Sequence, residues 1–416
     1  MIEMTEKSNV QTERLYWTDS YVTEFEAKIM DISSNELILD KTAFYPFGGG
    51  QISDTGEIIS KENKELKFVV TKVEINTEGN IIHFLSGKDL DKLHKNDYII
   101  GRVDWNRRIE LMKAHSSQHI LSAFIEHLFT VKTMKAVIGT NETIVYLEEK
   151  ITNEELQKAV YQTNVFLVSG KNITANFYDK KNIPKEINEH LRGNLSTKEE
   201  TKVRVVSIDN LDNSLCGGTH CKNTLEIGII ALNDFKGDII YYSHGAQALE
   251  NISKMNIDQI TTSKLLATKP VDINKRITKV LAEIDDLRNV NTFLSKKVVE
   301  YRMSDLKRNP VIHGEIKILK ENFDYSERKF ILQQLGDVPK DTLAIFIVKG
   351  PVLLLLSEIP SLPANELIQA YSVKTGNKGG GTAKIAQTAI DDSEKDLQIM
   401  LEIIEKKIEN GNKKNS

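Results

Sequence analysis

The chain has 416 residues, 40% hydrophobic and 27% charged, with a formal net charge of −4. That length exceeds one ordinary core and predicts two to four domains. The near-neutral balance excludes a global attraction to nucleic acid and leaves only local basic patches: Lys132/Lys135, Lys180/Lys181/Lys185 and the tail after Lys406. Two cysteines, Cys216 and Cys221, exclude a disulfide framework and point to metal or reactive chemistry in a reducing compartment. The longest aliphatic run, residues 352–356, is far short of the ~20 residues of a membrane span. No apolar signal core opens the chain, so a cytoplasmic protein is expected.

From residue 15 to about 100, short apolar runs alternate with polar turns. Residues 25–29, 36–39, 57–59, 66–73 and 81–85 read as strands of a small β-barrel or sandwich. Among them lies TAFYPFGGGQISDTG, residues 42–56. Its three consecutive glycines suit a sharp turn or a close approach of backbone to a ligand, with a plain Gly-rich hairpin as the alternative.

Residues 104–127 read as a helix, with Asp104 as N-cap and Ile109, Met112, Ile120, Leu121 and Phe124 on its apolar side. It carries His115 and His119, about one turn apart and therefore on one face. The pattern continues as strands 136–138 and 144–147, helix 154–168 and strand 173–178. Residues 182–200 read as a polar surface excursion. Strand 202–208 precedes LCGGTHC at 215–221, and antiparallel strands 227–232 and 238–243 follow.

No glycine occurs between Gly245 and Gly314. From Ile273 the apolar residues step by four and three through Ile277, Val280, Ile284, Leu287, Leu294, Val298 and Tyr301, with Asn291 in the seam. This is a coiled-coil heptad: one arm of an intrachain helical hairpin with residues 249–266, the preferred reading, or a dimer contact. After Pro310 a compact α/β domain is expected, with strands 316–319, 343–349 and 352–357, the last two buried on both faces. Helices 326–335, 364–372 and 382–390 belong to it, and TGNKGGG at 375–381 lies between the last two. A final helix at 392–408 leads to a disordered NGNKKNS tail.

The chemistry-bearing residues are His115-x3-His119 and Cys216-x3-His220. Imidazole nitrogen and thiolate sulfur are the usual ligands of zinc, and two glycines let the loop turn Cys216 and His220 inward together. Cys221, next to His220, reads as a small buried apolar residue. Four protein ligands suit a closed structural site, whereas a catalytic site keeps a position for water; spacing alone does not choose.

Taken together, TAFYPFGGGQISDTG, HSSQH, CGGTH followed by Glu226-Ile-Gly228, and GNKGGG resemble, in the same order, the alanyl-tRNA editing family in its long form. These are freestanding relatives of the editing and C-terminal parts of alanyl-tRNA synthetase. The resemblance implies zinc-dependent hydrolysis of the ester of tRNA(Ala) wrongly charged with serine, often also glycine. No segment resembles the class II aminoacylation core, so no tRNA charging is expected. By the same resemblance His115, His119, Cys216 and His220 match the zinc ligands, and Thr42 matches a serine-hydroxyl reader. Gln51 and Asp54 lie beside the pocket, and Lys378 with Gly379, Gly380 and Gly381 matches a tRNA-body contact. The backbone of Gly217, Gly218 and Thr219 suits an oxyanion site. Three positions depart from the family pattern: Phe47 stands where an acidic residue is usual, Gln247 where a basic one is frequent, and Thr388-Ala389 where a second glycine cluster is usual.

The expected architecture is a multidomain α+β chain. It comprises an N-terminal small β-barrel (1–95), an α+β zinc editing core (96–248), a helical coiled-coil hairpin (249–310) and a C-terminal α/β domain like those associated with DHH phosphoesterases (311–416). The expected partners are mischarged tRNA(Ala) and, through the helical or C-terminal domain, a second copy of the chain.

Overall fold

Period-two burial closes the N-terminal strands into a barrel: in β1 (Glu24–Ser33), Phe25, Ala27 and Ile29 are buried while Glu24 and Glu26 are exposed. The computed structural model describes residues 11–189, 191–193, 201–326, 328–335 and 340–412. The other barrel strands are β2 (Glu36–Leu39), β3 (Gly56–Ser60), β4 (Lys67–Ile75), β5 (Ile81–Ser86) and β6 (Tyr98–Val103), closed in the order β1-β2-β5-β4-β3-β6. Five of the six match the expected segments. The sixth, YIIGRV, has Gly101 where the alternation needs a side chain, and it lies outside the sequence reading.

Helix α1 (Trp105–Phe129) starts as expected, with the Asp104 carboxylate accepting from the Arg107 N–H at 3.2 Å. Its burial is not the one-sided burial of an amphipathic surface helix. Ser116, Ser117, Gln118, His119 and Ser122 are buried along with Ile120 and Leu121. Around it lie β7 (Thr133–Ile138), β8 (Thr143–Leu147), α2 (Asn153–Leu167), β9 (Ile173–Asp179), β10 (Leu191–Arg192), β11 (Lys202–Ile208), β12 (Asp212–Leu215), β13 (Ile230–Phe235) and β14 (Ile239–His244). They form two four-stranded sheets, ordered β13-β14-β8-β7 and β9-β11-β12-β10. Strand β13 begins at Ile230, three residues later than expected, because residues 224–227 form a turn. Within the expected excursion, residues 190 and 194–200 lie outside the described residues.

The chain groups into two compact units, residues 1–261 and 262–416, with the boundary inside the segment 249–310. Helix α3 (Gly245–Leu265) runs across the boundary at residue 261, and α4 (Ile273–Arg308) lies in the second unit. Along α4 the heptad residues Ile277, Ile284, Leu287, Leu294, Val298 and Tyr301 are 38–74% exposed. Only its last turns are buried, where Val299 and Met303 pack on Phe323 and Phe346.

The second unit holds a six-stranded sheet of β15 (Val311–His313), β16 (Ile316–Phe323), β17 (Thr342–Val348), β18 (Val352–Ser357), β19 (Gly379–Gly381) and β20 (Ile385–Ala389), ordered β15-β16-β17-β18-β20-β19. Helices α5 (Arg328–Gln334), α6 (Ala364–Thr375) and α7 (Ser393–Asn412) accompany it. All seven residues of β17 are buried, as a strand covered on both faces requires. The expected helix at 382–390 is corrected to strand β20. Its Ala386 and Thr388 alternate inward and it pairs antiparallel with β18 on one side and β19 on the other, so sheet pairing overrides the helix preference of alanine. TGNKGGG therefore joins a helix to an edge strand. Of the expected disordered tail, residues 410–412 complete α7, and 413–416 lie outside the described residues.

Candidate metal centre

His115 and His119 project from the buried middle of α1, and Cys216 and His220 from the loop after β12. The four ligand atoms lie within 4.8 Å of one another. Each imidazole has its Nδ1 engaged. His115 Nδ1–H donates to Gln51 Oε1 at 2.7 Å, and His119 Nδ1 lies 3.2 Å from Asp212 Oδ2. His220 Nδ1 lies 3.2 Å from Ser116 Oγ, which also accepts from the Cys221 N–H. That leaves Nε2 of His115 and His220 turned to the sulfur, 3.5 and 3.2 Å from Cys216 Sγ. Outer partners that fix tautomer and ring orientation are what a metal-binding histidine requires.

The electrostatics agree. Burial would push the Cys216 thiol up, but the imidazoles of His115 and His220 hold it well below the ordinary thiol range. Burial lowers His220 to about 3, keeping it neutral. Burial would also lower His119, yet hydrogen bonds to Asp212 and Cys216 raise it to about 9. Burial would raise the Asp212 carboxyl, but bonds from His119 and Arg192 hold it well below the usual range. Thiolate at Cys216 and neutral imidazole at His220 are the forms a divalent cation needs, and His119 would release its proton on binding one; by donor type and ring orientation, three nitrogens and one sulfur fit zinc.

The loop is held from three sides. Arg204 Nη1 donates to the carbonyls of Cys216 (2.7 Å) and Gly218 (3.0 Å), and Trp17 Nε1 donates to that of Gly217 at 3.0 Å. Gln51 Nε2 donates to Thr219 Oγ1 at 2.9 Å. After His220, the Glu226 carboxylate accepts from the N–H groups of Lys222 and Asn223. Gly218 must be glycine, since a Cβ there would sit 2.2 Å from His115 Cε1.

The glycine motif is docked against this loop and α1. Gly50, with a left-handed φ of +82°, presses so closely on β7 that a Cβ would lie 2.3 Å from the Ala136 carbonyl oxygen. Behind it, Asp54 and Arg108 form a fully buried ion pair. Asp54 also accepts from the Tyr45 N–H at 2.6 Å, and Arg108 Nη1 donates to the Ser20 carbonyl at 2.8 Å. Above the ligands opens a cleft of about 720 Å³, lined by His115, His119 and Cys216 at its floor and by Gly48–Gly50, Gly217 and Gly218 at its walls.

Of the sequence-selected residues, the structure brings together the four ligands, Gln51, Gly217, Gly218 and Thr219. Thr42 is elsewhere. It is fully buried in the barrel, 2.8 Å from His83 Nε2, and accepts from the Phe44 N–H, so both uses of its hydroxyl are taken and it does not line the cleft. Lys378 and Gly379–Gly381 lie in the second unit, exposed on the edge strand β19 and the residue before it. Sequence reading missed Asp212, Arg108, Ser116 and Arg204. Arg108 left a trace, since it lies seven residues before His115 and so on the same face of α1. Asp212 left none, because DNSL is too polar to read as a strand.

Residues 4–107 match the family described as tRNA synthetases class II (A), and residues 203–245 match the second additional domain of threonyl and alanyl tRNA synthetases. The described residues of the first match build the barrel and the start of α1. Over 391 residues the chain is 27% identical to the alanyl-tRNA editing protein AlaX-L of Pyrococcus horikoshii, covering 91% of this chain and 95% of that protein. It is 27% identical to the alanine–tRNA ligase of Saccharolobus islandicus over 95% of this chain, and 27% identical to that of Methanococcus aeolicus over 91%. The chain spans 44% and 41% of those two ligases, less than half of each. No helix among the described residues is long and apolar enough to cross a membrane.

Proposed function

We propose that this relative of the alanyl-tRNA editing proteins is a trans-editing hydrolase, cutting the aminoacyl ester of tRNA(Ala) mischarged chiefly with serine and secondarily with glycine, without charging tRNA itself. The observation that carries the reading is the convergence of His115, His119, Cys216 and His220, the first three at the floor of an open cleft, in a chain alike over 91% of its length to an editing protein. These four residues would hold zinc. When bound, the metal supplies a Lewis acid that polarises a carbonyl or acidifies a water.

The chain's own groups do the rest. Water adds to the ester carbonyl carbon, the bond to the terminal ribose oxygen breaks, that oxygen takes a proton, and the free amino acid leaves. Within Gly217–Thr219, the Gly218 N–H points to Cys216 Sγ at 3.3 Å and the Thr219 N–H to Gln51 Oε1 at 3.4 Å. The Gly217 N–H is thus the donor of the three left for the developing oxyanion. Gln51 orients His115 and the loop together. Thr42, bonded to His83, supports the wall behind Tyr45 rather than touching substrate. The exposed edge Gly379–Gly381, with Lys378, contacts the tRNA body, and the open α4 seam joins two copies of the chain. Cytoplasmic residence goes with this reading, because aminoacyl-tRNA is made and used there.

Initial-rate hydrolysis of Ser-, Gly- and Ala-tRNA(Ala), with and without a chelator, tests the reading. Serine release should dominate and stop with chelator. Full activity of His119→Ala in chelator would sink the metal assignment. Because the second matched domain is shared with threonyl synthetases, Ser-tRNA(Thr) is the control; preferential hydrolysis of it would transfer the assignment to that tRNA.

A further inference from the structure

The rim of the cleft carries a feature that the hydrolytic chemistry does not use. Phe47 is 58% exposed at the tip of the glycine turn, and Met134 on β7 is 69% exposed. Both line the cleft mouth, with Ile75 beside them. Phe47 is not loosely held. Its N–H donates to the Val73 carbonyl at 2.9 Å. The turn after it is closed by reciprocal backbone bonds between Gly48 and Gln51 at 3.1 and 3.0 Å, and Tyr45 Oη donates to the Gly48 carbonyl at 2.8 Å. Keeping an apolar ring in water at the end of a rigid turn gains nothing for the fold.

The other rim aromatic, Trp17, is already covered: the Arg14 guanidinium stacks over it at 4.2 Å and Phe177 tilts against it at 6.0 Å. Among the described residues no ring or cation packs on Phe47. Two rim cations also lack an anion. Neither Arg14 nor Lys135 has a carboxylate within salt-bridge distance among the described residues, and no acidic side chain among them lines the cleft. An uncovered aromatic face beside two cations that rest on rings, Arg14 on Trp17 and Lys135 on Tyr146, without a carboxylate partner, above a hydrolytic floor, is the complement of a single-stranded nucleotide: a flat base and a phosphate.

We propose that Phe47 is the stacking seat for the terminal base of the RNA 3′ end, with Met134 as the facing wall and Arg14 and Lys135 receiving the adjoining phosphates. The proposal rests on the editing reading above and identifies the part of the substrate that its rim grips. Because every base has a flat face, the seat takes a single-stranded end without reading its sequence.

The probe is an uncharged RNA stem-loop ending in CCA with 2-aminopurine as its last base, titrated with the full chain. Stacking on Phe47 should quench the fluorophore. Phe47→Ala should lose the quench and weaken binding roughly tenfold, in the range for one base on one ring. Phe47→Trp should restore both, whereas Phe47→Leu should not. Replacing Arg14 and Lys135 by Gln should lower the dependence of binding on salt. In deacylation, the loss in Phe47→Ala should fall on KM rather than kcat. An unquenched wild-type complex overturns the proposal, as does a Phe47→Leu variant equal to Phe47→Trp, or a loss confined to kcat. Quenching without hydrolysis of any Ser-tRNA would keep the seat and discard the editing reading. Hydrolysis unaffected by Phe47→Ala would do the reverse. Phe47 is exposed, so folding of the variants, checked by thermal midpoint, should match the wild type.

Discussion

Single side chains around the centre do unequal work. The ligands are recognisable by type, but their usefulness depends on groups that never touch substrate. Asp212 and Gln51 set which ring nitrogen faces the metal position. Losing such a partner typically costs 10- to 100-fold in metal affinity or activity. Asp212→Asn and Gln51→Leu should therefore each weaken zinc binding by roughly that factor in a competitive chelator titration, with the fold intact by circular dichroism. Unchanged affinity in both would show that the outer contacts are incidental. Arg108 is a different case. Its partner Asp54 is wholly buried, so Arg108→Met leaves a carboxylate unpaired in the interior. Removing one member of such a pair costs about 3–5 kcal/mol. Denaturant unfolding should show that loss for Arg108→Met and for Asp54→Asn, with the double variant less than additive.

At the level of elements, the barrel has a pH sensitivity separate from the metal. His83 on β5 is fully buried between Thr42 Oγ1 (2.8 Å) and the Leu37 carbonyl (3.1 Å), and burial lowers it to about 4. The folded chain thus holds this ring neutral, while the unfolded chain protonates it near its ordinary value of about 6.5. A base depressed by folding contributes stability above the unfolded pKa, and that stability is lost as pH falls through 6.5 toward 4. The loss approaches about 3 kcal/mol below pH 4. Urea midpoints at pH 7, 5.5 and 4.5 should fall accordingly, and more shallowly in His83→Gln. Equal slopes for the two chains would remove His83 as the cause. The same scale explains β12 and β20. Polar Asp212 and Ser214 are buried in β12 because they face the centre, and Ala-rich β20 is a strand because β18 supplies its hydrogen bonds.

The whole molecule consists of two units with their own cores, and all four candidate ligands lie in the first. A metal that binds only the folded first unit stabilises that unit by mass action. Calorimetry should show a chelator lowering one transition by several degrees and leaving the transition of residues 262–416 in place; a shift in both would mean the units unfold together. Much of this plan is legible in the sequence. The strand alternation from Glu24 to Ser86, the capped helix at Asp104 and the two pairs His115/His119 and Cys216/His220 as candidate donors follow from local spacing and chemical type. Period and capping are properties of neighbours in the chain, so one sequence by itself determined them. What only the tertiary structure decided involves residues far apart in sequence. Gln51 reaches His115, Asp212 reaches His119, and Thr42 turns inward to His83 instead of to the cleft. Each of these depends on which surfaces meet after folding and on what dehydrates a polar group there, and no periodicity along the chain encodes either.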